Sequence, residues 1–372
     1  HERVPDFMIP SEIQLRAQLP LNANMKLDRR QVIADFLQGA RRASVTPRDL
    51  WELELLQMIS EVSAAPVGLD EPLFDGALHS LAVMGLLHRI NKHVGGELTF
   101  GDLKESNTVT RLAGLLRRAG TFEFRQLIRL KPGTTRRSLV LFHPGGGTCL
   151  PYQPLLDALP AELTVHGVEC PNLYRPRPEV FTVEQMVERY YPDVAAIEAE
   201  GPLALGGWSL GGYIAYETAR RMRAEGRPVG LVLLMDSVIF DDRLHEFARL
   251  LGKPNVSEFL RGHFSGYWEH LTDEERERQR ITHDIALDAT LAYKPSRYEG
   301  DLALAKAGRF DELPPGSDVD RMQQYVRSLT YNGWEASCSG RIEVHHTPTR
   351  HNDLVSSESA PMLARLIAER LG

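Results

Sequence analysis

Residues 203–222 read LALGGWSLGGYIAYETARRM, an apolar run that passes through a Gly-x-Ser-x-Gly sequence into a helical pattern. The glycines at 207 and 211 permit a sharp strand-to-helix turn that lifts the hydroxyl of Ser209 above a sheet. The N-terminus of the following helix stabilises negative charge that develops beside this hydroxyl. The stretch therefore predicts a hydrolase-type turn with Ser209 as nucleophile, in preference to a plain tight turn.

Short apolar segments alternate with helical segments on both sides of this turn. Such alternation is typical of a mostly parallel sheet with helices on both faces. Upstream, FEFRQLIRL (122–130) alternates apolar and polar residues before Pro132-Gly133, which predicts an edge strand folded back onto the next one. The other predicted strands are SLVLFH (138–143), LTVHGVE (163–169), LALGGWS (203–209), GLVLLMD (230–236), LALAKA (302–307) and RIEVHH (341–346).

One interval, at about 240–295, has helical character without a clear strand and contains the charged run DEERERQR at 273–280. Long insertions at the active edge of such sheets often gate it, so the interval predicts a helical lid. Its aromatic cluster can form either pocket walls or ordinary core; the cluster comprises His263, Phe264, Tyr267 and Trp268.

A serine nucleophile needs a histidine base and a carboxylate that fixes the tautomer of the histidine. In hydrolases of this type these residues follow in the order Ser, acid, His. Asp236 ends the strand GLVLLMD, and His351 follows RIEVHHTPT in a loop. We expect both at the carboxyl edge of the sheet beside Ser209, with Asp311 in GRFDEL as a rival for the acid.

The oxyanion hole needs two backbone N–H groups aimed at the tetrahedral intermediate. We assign one to Leu210, directly after the nucleophile, and the other to Gly145 in the loop HPGGG at 143–147. This glycine run lacks the features of a phosphate loop. No metal is predicted, because the tandem His345 and His346 point to opposite faces of a strand.

The first 120 residues have a different pattern. Helical periodicity is present in DLWELELLQMISEVSA (49–64), in the stretch that follows Ser80 and in VTRLAGLLRRAG (109–120). Ser80 lies in FDGALHSLAVMGLLHRI (74–90), where a serine before an apolar helix is most often an N-cap. These residues predict a small helical bundle in front of the sheet domain.

Composition limits the possible partners. The 372 residues carry a net charge of -7 with acidic and basic residues mixed, so neither nucleic acid nor an anionic membrane is an expected partner. No apolar run approaches the length of a membrane span. The three cysteines lack CxxC spacing, which favours a reducing cytoplasm over a disulfide framework or a zinc site. A first residue other than Met suggests a piece of a longer protein.

Residues 124–372 resemble the type I thioesterase domain that ends nonribosomal peptide synthetases. The resemblance implies an α/β-hydrolase fold and a Ser209-His351-Asp236 triad. Such domains commonly carry Gly-Asp before the histidine, whereas this chain has Thr349-Arg350. The segments that carry the resemblance are LFHPGGGTCLPYQPL, GGWSLGGYIAYETA, LLMDS, YKPSRYEGDLALAKA and RIEVHHTPTRHNDLV.

Residues 46–120 are similar to a peptidyl carrier domain, a small four-helix bundle. The resemblance implies that Ser80, in His79-Ser80-Leu81, receives a covalent 4′-phosphopantetheine arm; Ala77 and Leu78 replace the glycines usual in that motif. Residues 1–33 resemble the C-terminal tail of an adenylation domain, with Lys26 in the position of the catalytic lysine of that domain. Residues 34–45 and 121–123 are expected to be linkers.

Together the three resemblances imply a termination fragment of a synthetase. The peptide would arrive as a thioester on Ser80, pass to Ser209 and leave by hydrolysis or macrocyclisation. Implied partners are upstream adenylation and condensation domains, a phosphopantetheinyl transferase and the peptidyl thioester. The alternatives are a free-standing serine esterase or lipase with a helical preface, and a binding module with a degenerate hydrolase fold.

Overall fold

The computed structural model describes residues 47–63, 67–73, 80–94, 98–119, 126–173, 178–199, 201–252 and 273–371. The chain divides into two compact units, residues 1–123 and 124–372. The predicted adenylation tail with Lys26, both predicted linkers and the four aromatic lid residues at 263–268 lie outside the described residues.

The first unit is helical. Its four described helices are α1 (Leu50–Ser60), α2 (Ser80–Val94), α3 (Phe100–Glu105) and α4 (Val109–Ala119). Helices are thus present at all three stretches that the sequence predicts. The short α3 begins at a capping box, in which the Thr99 N–H donates to Asp102 Oδ2 at 2.8 Å and the Asp102 N–H donates to Thr99 Oγ1 at 3.3 Å.

Apolar residues from α1, α2 and α4 form one buried cluster in this unit. Their spacing of three and four residues puts them on one face of each helix, which explains why the helices pack together. The cluster includes Leu55, Ile59, Leu86, Ile90, Leu112 and Leu116. Ser80 is the first residue of α2.

The second unit is built on a seven-stranded sheet of order β1-β3-β2-β4-β5-β6-β7. All neighbouring pairs are parallel except β1 with β3. The predicted strands are therefore confirmed. Their bounds are β1 (Leu127–Lys131), β2 (Ser138–Phe142), β3 (Thr164–Val168), β4 (Leu203–Trp208), β5 (Val229–Met235), β6 (Leu302–Ala307) and β7 (Ile342–Thr347).

One strand pairing differs from the prediction. β1 is an edge strand, as expected, but it pairs with β3 and not with the next strand, β2. A side chain on Gly167 of β3 would lie 2.7 Å from Leu130 Cδ1. Leu130 of β1 therefore packs over the one position of β3 that has no side chain, and alternation within β1 alone could not reveal this fit.

Helices cover the sheet, and the central strands are accordingly apolar throughout. Every residue of β2, β4 and β6 is buried. None of the helices in the described part of the chain has the length and apolar character of a membrane span. The helices of this unit are α5 (Gln153–Ala158), α6 (Val183–Ala195), α7 (Leu210–Ala224), α8 (Asp242–Leu251), α9 (Asp273–Ala292), α10 (Asp318–Ser328) and α11 (Ala360–Leu371).

Helix α9 packs on the glycine loop that follows β2. Gln279 Nε2 donates to the carbonyl oxygen of Gly146 at 3.5 Å, and a Cβ on Gly145 would lie 3.3 Å from the ring of His283. Gly147 has a φ of +84°, and a Cβ there would lie 2.9 Å from Thr282 Cγ2. The glycines therefore allow α9 to approach the loop closely.

We expect Gly147→Ala to lower the free energy of unfolding by about 2 kcal/mol or more, because it adds overpacking against Thr282 to about 1 kcal/mol of backbone strain. Gly201→Ala is the matched control, since Gly201 has a φ of +82° with nothing within 4 Å of its Cβ position. Urea denaturation of both variants measures the difference. Equal losses would show that α9 does not constrain the loop.

Candidate active site

Ser209 lies at the junction between β4 and α7 in a strained conformation. Its φ of 55° and ψ of -118° are unfavourable for a residue with a side chain. Two hydrogen bonds hold it: the Ser209 N–H donates to the Met235 carbonyl at 2.9 Å, and Ser237 Oγ donates to the Ser209 carbonyl at 2.6 Å. The junction is therefore the sharp turn that the sequence predicts.

Three glycines make this turn possible through close backbone approach. A Cβ on Gly207 would lie 2.1 Å from the carbonyl carbon of Gly211, and one on Gly211 would lie 2.3 Å from the Phe142 oxygen. On Gly212 a Cβ would lie 2.0 Å from Ser237 Oγ. No side chain fits at any of these positions, so the first turn of α7 packs directly against β2 and β4.

His351 and Asp236 meet at the carboxyl edge of the sheet. His351 begins a short 3-10 helix after β7, and Asp236 directly follows β5. His351 Nδ1 lies 2.9 Å from Asp236 Oδ2. Because Asp236 occupies Nδ1, the other ring nitrogen, Nε2, is the one that can accept a proton. A general base requires this arrangement.

The Asp236 carboxylate is buried and well provided with donors. Oδ1 accepts from the Ala307 N–H at 3.2 Å and from Asn332 Nδ2 at 3.1 Å. Burial acts to raise the pKa of Asp236, but the hydrogen bond and charge of His351 and these two donors together lower it below the usual range. Asp236 is therefore ionised at neutral pH.

Asp311 follows β6, lines the same pocket as Asp236 and has a different partner. Its Oδ1 lies 3.0 Å from Arg350 Nη1 in an ion pair. Thr349, directly before Arg350, is buried, and its hydroxyl lies 2.7 Å from Ser359 Oγ. The Thr-Arg pair before His351 thus has structural roles, one side chain inside and one toward Asp311.

One pocket contains all five residues that sequence analysis placed in the hydrolase site. Ser209, Leu210, Asp236, His351 and Gly145 all line it. Its other walls are largely apolar and come from α8, α9, α10 and the loops after β5 and β6. They include Val238, Phe240, Leu244, Ala286, Leu287, Phe310, Met322 and Val326. Such a pocket suits an acyl chain with few charged groups.

Two further residues near the glycine loop and the nucleophile have clear positions. Cys149 is fully buried and does not line the pocket; burial raises the pKa of its thiol. Trp208 lines the pocket with its ring 5.8 Å from that of His351. All three cysteines are free. In the described residues no group of three or more His, Cys, Asp or Glu side chains could hold a metal ion.

Several supporting residues were not foreseen from the sequence. Asn332 has a φ of 52° and precedes Gly333, so its Asn-Gly turn was the available signal. Tyr152 and Tyr190 gave none, because a buried tyrosine resembles ordinary core. Tyr190 Oη lies 3.0 Å from His143 Nε2, and burial lowers the pKa of His143 to about 4.

Comparisons with known proteins agree with both units. Residues 137–371 match the thioesterase domain family, and residues 53–116 match the phosphopantetheine attachment site family. The second match identifies a carrier domain that takes 4′-phosphopantetheine covalently. A dimodular nonribosomal peptide synthase of Bacillus subtilis is 26% identical over 407 aligned residues, covering all of this chain and 16% of the relative.

This chain is therefore much shorter than the curated relatives that it matches. It spans 7% of malpibaldin synthetase of Mortierella alpina, at 27% identity over 99% of this chain.

Among solved structures, a four-domain nonribosomal peptide synthetase, holo-AB3403 bound to AMP and glycine, shares the fold with a TM-score of 0.67. It is 24% identical, and the match covers 95% of this chain and 28% of that one. The NocB thioesterase domain from the nocardicin cluster has a TM-score of 0.50 and 27% identity over 66% of this chain and 99% of its own. The chain belongs to the thioesterase domain family, with a phosphopantetheine carrier domain preceding the thioesterase domain.

Proposed function

We propose that this chain is the terminal region of a nonribosomal peptide synthetase and that it releases a peptide held as a thioester. One observation carries the proposal: a carrier domain and a thioesterase domain occur in one chain, and Ser209, His351 and Asp236 of the latter line one pocket. A synthetase must detach its product, and a serine acyl transferase in the same chain as a carrier supplies that step.

Ser80 is the proposed attachment point of the phosphopantetheine arm. It is the first residue of α2, a 15-residue helix without an acidic residue in its first turn. The anionic phosphodiester would lie at the positive end of the helix dipole, so the position fits the group. The arm supplies the thiol that carries the peptide as a thioester.

The first half-reaction transfers the acyl group to Ser209. His351 Nε2 takes the proton from Ser209 Oγ while that oxygen attacks the thioester carbonyl carbon. The N–H groups of Leu210 and Gly145 stabilise the oxyanion. When the C–S bond breaks, His351 returns the proton to the leaving sulfur, and an acyl-enzyme ester remains on Ser209.

The second half-reaction releases the acyl group. His351 removes a proton from the incoming nucleophile, which attacks the ester carbonyl, and then gives the proton to Ser209 Oγ as the C–O bond breaks. Water yields a free acid, whereas an amine or hydroxyl of the peptide itself yields a macrocycle. Asp236 keeps His351 in the tautomer that both half-reactions need.

The finer domain plan belongs to the same proposal. The four helices α1 to α4 are proposed as the carrier bundle at 46–120, and the thioesterase is proposed to start at 124. Within 240–295, α8 and α9 are proposed as described parts of a helical lid, because Leu244, His283 and Leu287 line the pocket.

Residues 1–33 are proposed as the end of an adenylation domain. All of this chain, including residues 1–33, aligns with 16% of the Bacillus subtilis synthase, which supports the proposal that further domains lie upstream. The proposed partners are accordingly adenylation and condensation domains of the same synthetase and a phosphopantetheinyl transferase that modifies Ser80. A cytoplasmic location stays a prediction from the cysteine content.

We expect Ser209→Ala to leave a loaded carrier that does not turn over, and Ser80→Ala to block loading but spare the hydrolysis of small soluble thioesters. Intact-mass spectrometry follows the arm and its acyl group after treatment with a phosphopantetheinyl transferase and an acyl-coenzyme A, which supplies the acyl-phosphopantetheine group and leaves as adenosine 3′,5′-bisphosphate. Ser60→Ala is the matched control, since Ser60 is an exposed helical serine of the same unit.

Three outcomes would contradict the proposal. Attachment of the arm to the Ser80→Ala variant would exclude Ser80. Efficient hydrolysis of simple esters and lipids, with no modification of the wild-type chain by the transferase, would favour a free-standing esterase. Failure of a fluorophosphonate to label Ser209 would instead favour a binding module with a degenerate hydrolase fold.

A second prediction separates the two candidate acids. Asp236→Asn should lower kcat by on the order of 10³-fold to 10⁴-fold, because the amide no longer fixes the His351 tautomer. Asp311→Asn should change kcat by less than about 10-fold, since Asp311 pairs with Arg350 at the pocket surface. Steady-state hydrolysis of one soluble thioester measures both, and a larger loss at Asp311 would reverse the assignment.

A further inference from the structure

The side chain of Tyr152 connects two segments of the site. Its ring is fully buried, at the end of the short 3-10 helix Leu150–Tyr152. The hydroxyl donates to the Phe142 carbonyl at 2.8 Å and accepts from the Trp208 N–H at 2.7 Å. Burial raises the pKa of this phenol well above its usual range, so both hydrogen bonds come from the neutral form.

These two backbone groups lie next to the proposed oxyanion donors. Phe142 ends β2 and leads into the loop that contains Gly145, and Trp208 ends β4 immediately before Ser209 and Leu210. One hydroxyl therefore bridges the two chain segments that each supply one N–H group.

The sheet pairing of these two segments ends beside this hydroxyl. The ladder between β2 and β4 runs from Leu139–Ala204 to its last pair, Phe142–Gly207. On the opposite edge of β4, Trp208 is in register with Met235 of β5. The Tyr152 hydroxyl therefore bonds to both segments at the point where the β2–β4 pairing ends.

The Phe142 carbonyl is also fixed from a second direction. A Cβ on Gly211 would lie 2.3 Å from its oxygen, so the first turn of α7 rests against it. Displacement of this carbonyl would shift both the glycine loop and the helix N-terminus. Oxyanion stabilisation depends on donor placement, because the N–H groups must lie where negative charge develops in the transition state.

We propose that Tyr152 is a positioning residue that sets the spacing between the Leu210 and Gly145 N–H groups of the oxyanion hole. This inference rests on the proposed thioesterase function and deepens it. Tyr152 does not touch the substrate in this role; it acts through the backbone at Phe142 and Trp208. Loss of its hydroxyl should therefore lower kcat and leave KM nearly unchanged.

The test compares Tyr152→Phe with Tyr216→Phe in the full chain. Tyr216 is the matched control: it is fully buried, its hydroxyl oxygen lies 2.7 Å from the carbonyl oxygens of both Ser296 and Ser337, and it is not among the described pocket residues. Each variant loses a phenol hydroxyl with two backbone partners. We expect similar decreases in the urea midpoint for both.

Only Tyr152→Phe should lose activity. We expect its kcat on an acyl-pantetheine thioester to fall by about 10-fold to 100-fold with KM within about twofold, whereas Tyr216→Phe keeps the wild-type kcat. Equal kcat values for the two variants would overturn the inference. An inactive wild-type chain would overturn the proposed function instead, so the two failures are distinguishable.

A second substitution covers the case in which Tyr152→Phe does not fold. Incorporation of 3,5-difluorotyrosine at position 152 keeps the ring and hydroxyl but weakens the oxygen as an acceptor for the Trp208 N–H. We expect kcat to fall by about threefold at unchanged KM, because the weaker bond relaxes the spacing. An unchanged kcat in this variant would also overturn the inference.

Discussion

The strained backbone of Ser209 is the constraint on which the thioesterase domain depends. A φ of 55° is costly for serine and persists only where surrounding contacts fix it. Here β5 holds the Ser209 N–H, and Ser237 holds its carbonyl. The adjacent glycines let α7 contact β2 and β4 without intervening side chains. The same packing that forces the turn therefore also brings the helix N-terminus beside the serine.

The Asp236–His351 pair shows how the sheet tolerates a buried carboxylate. An unpaired buried charge is costly, and this one is offset by an imidazole, a backbone N–H and an asparagine amide. These donors come from three places in the chain: the end of β6, the Asn-Gly turn at 332–333 and the loop after β7. Two of the three donors lie at or after the ends of parallel strands, which end at a common edge of the sheet, and the turn at 332–333 supplies the third donor.

The sequence predicted the strands and the pocket residues well because both follow from local patterns. Apolar runs such as LALAKA form buried strands, and the Gly-x-Ser-x-Gly turn has a defined mechanical role. Tyr152 and Asn332 escaped prediction because their roles depend on partners 56 and 96 residues away. The pairing of β1 escaped for the same reason, since Leu130 and Gly167 fit together only in the folded sheet. Local pattern predicts which residues reach the site, whereas their supports are set by long-range packing.

Thr349-Arg350 stands where thioesterase domains of this type commonly have Gly-Asp before the histidine. The difference bears on which carboxylate is the candidate partner of His351. Two carboxylates, Asp236 and Asp311, follow adjacent parallel strands and line one pocket. Asp311 lies beside Arg350, and an acid at position 350 would place a second negative charge against it. With arginine there, Asp311 has its own cation one residue from His351. The ion pair is about half exposed and contributes little to stability, in the range of 0–1 kcal/mol. Asp311 thus contacts the guanidinium of Arg350, whereas the buried Asp236 contacts the ring of His351.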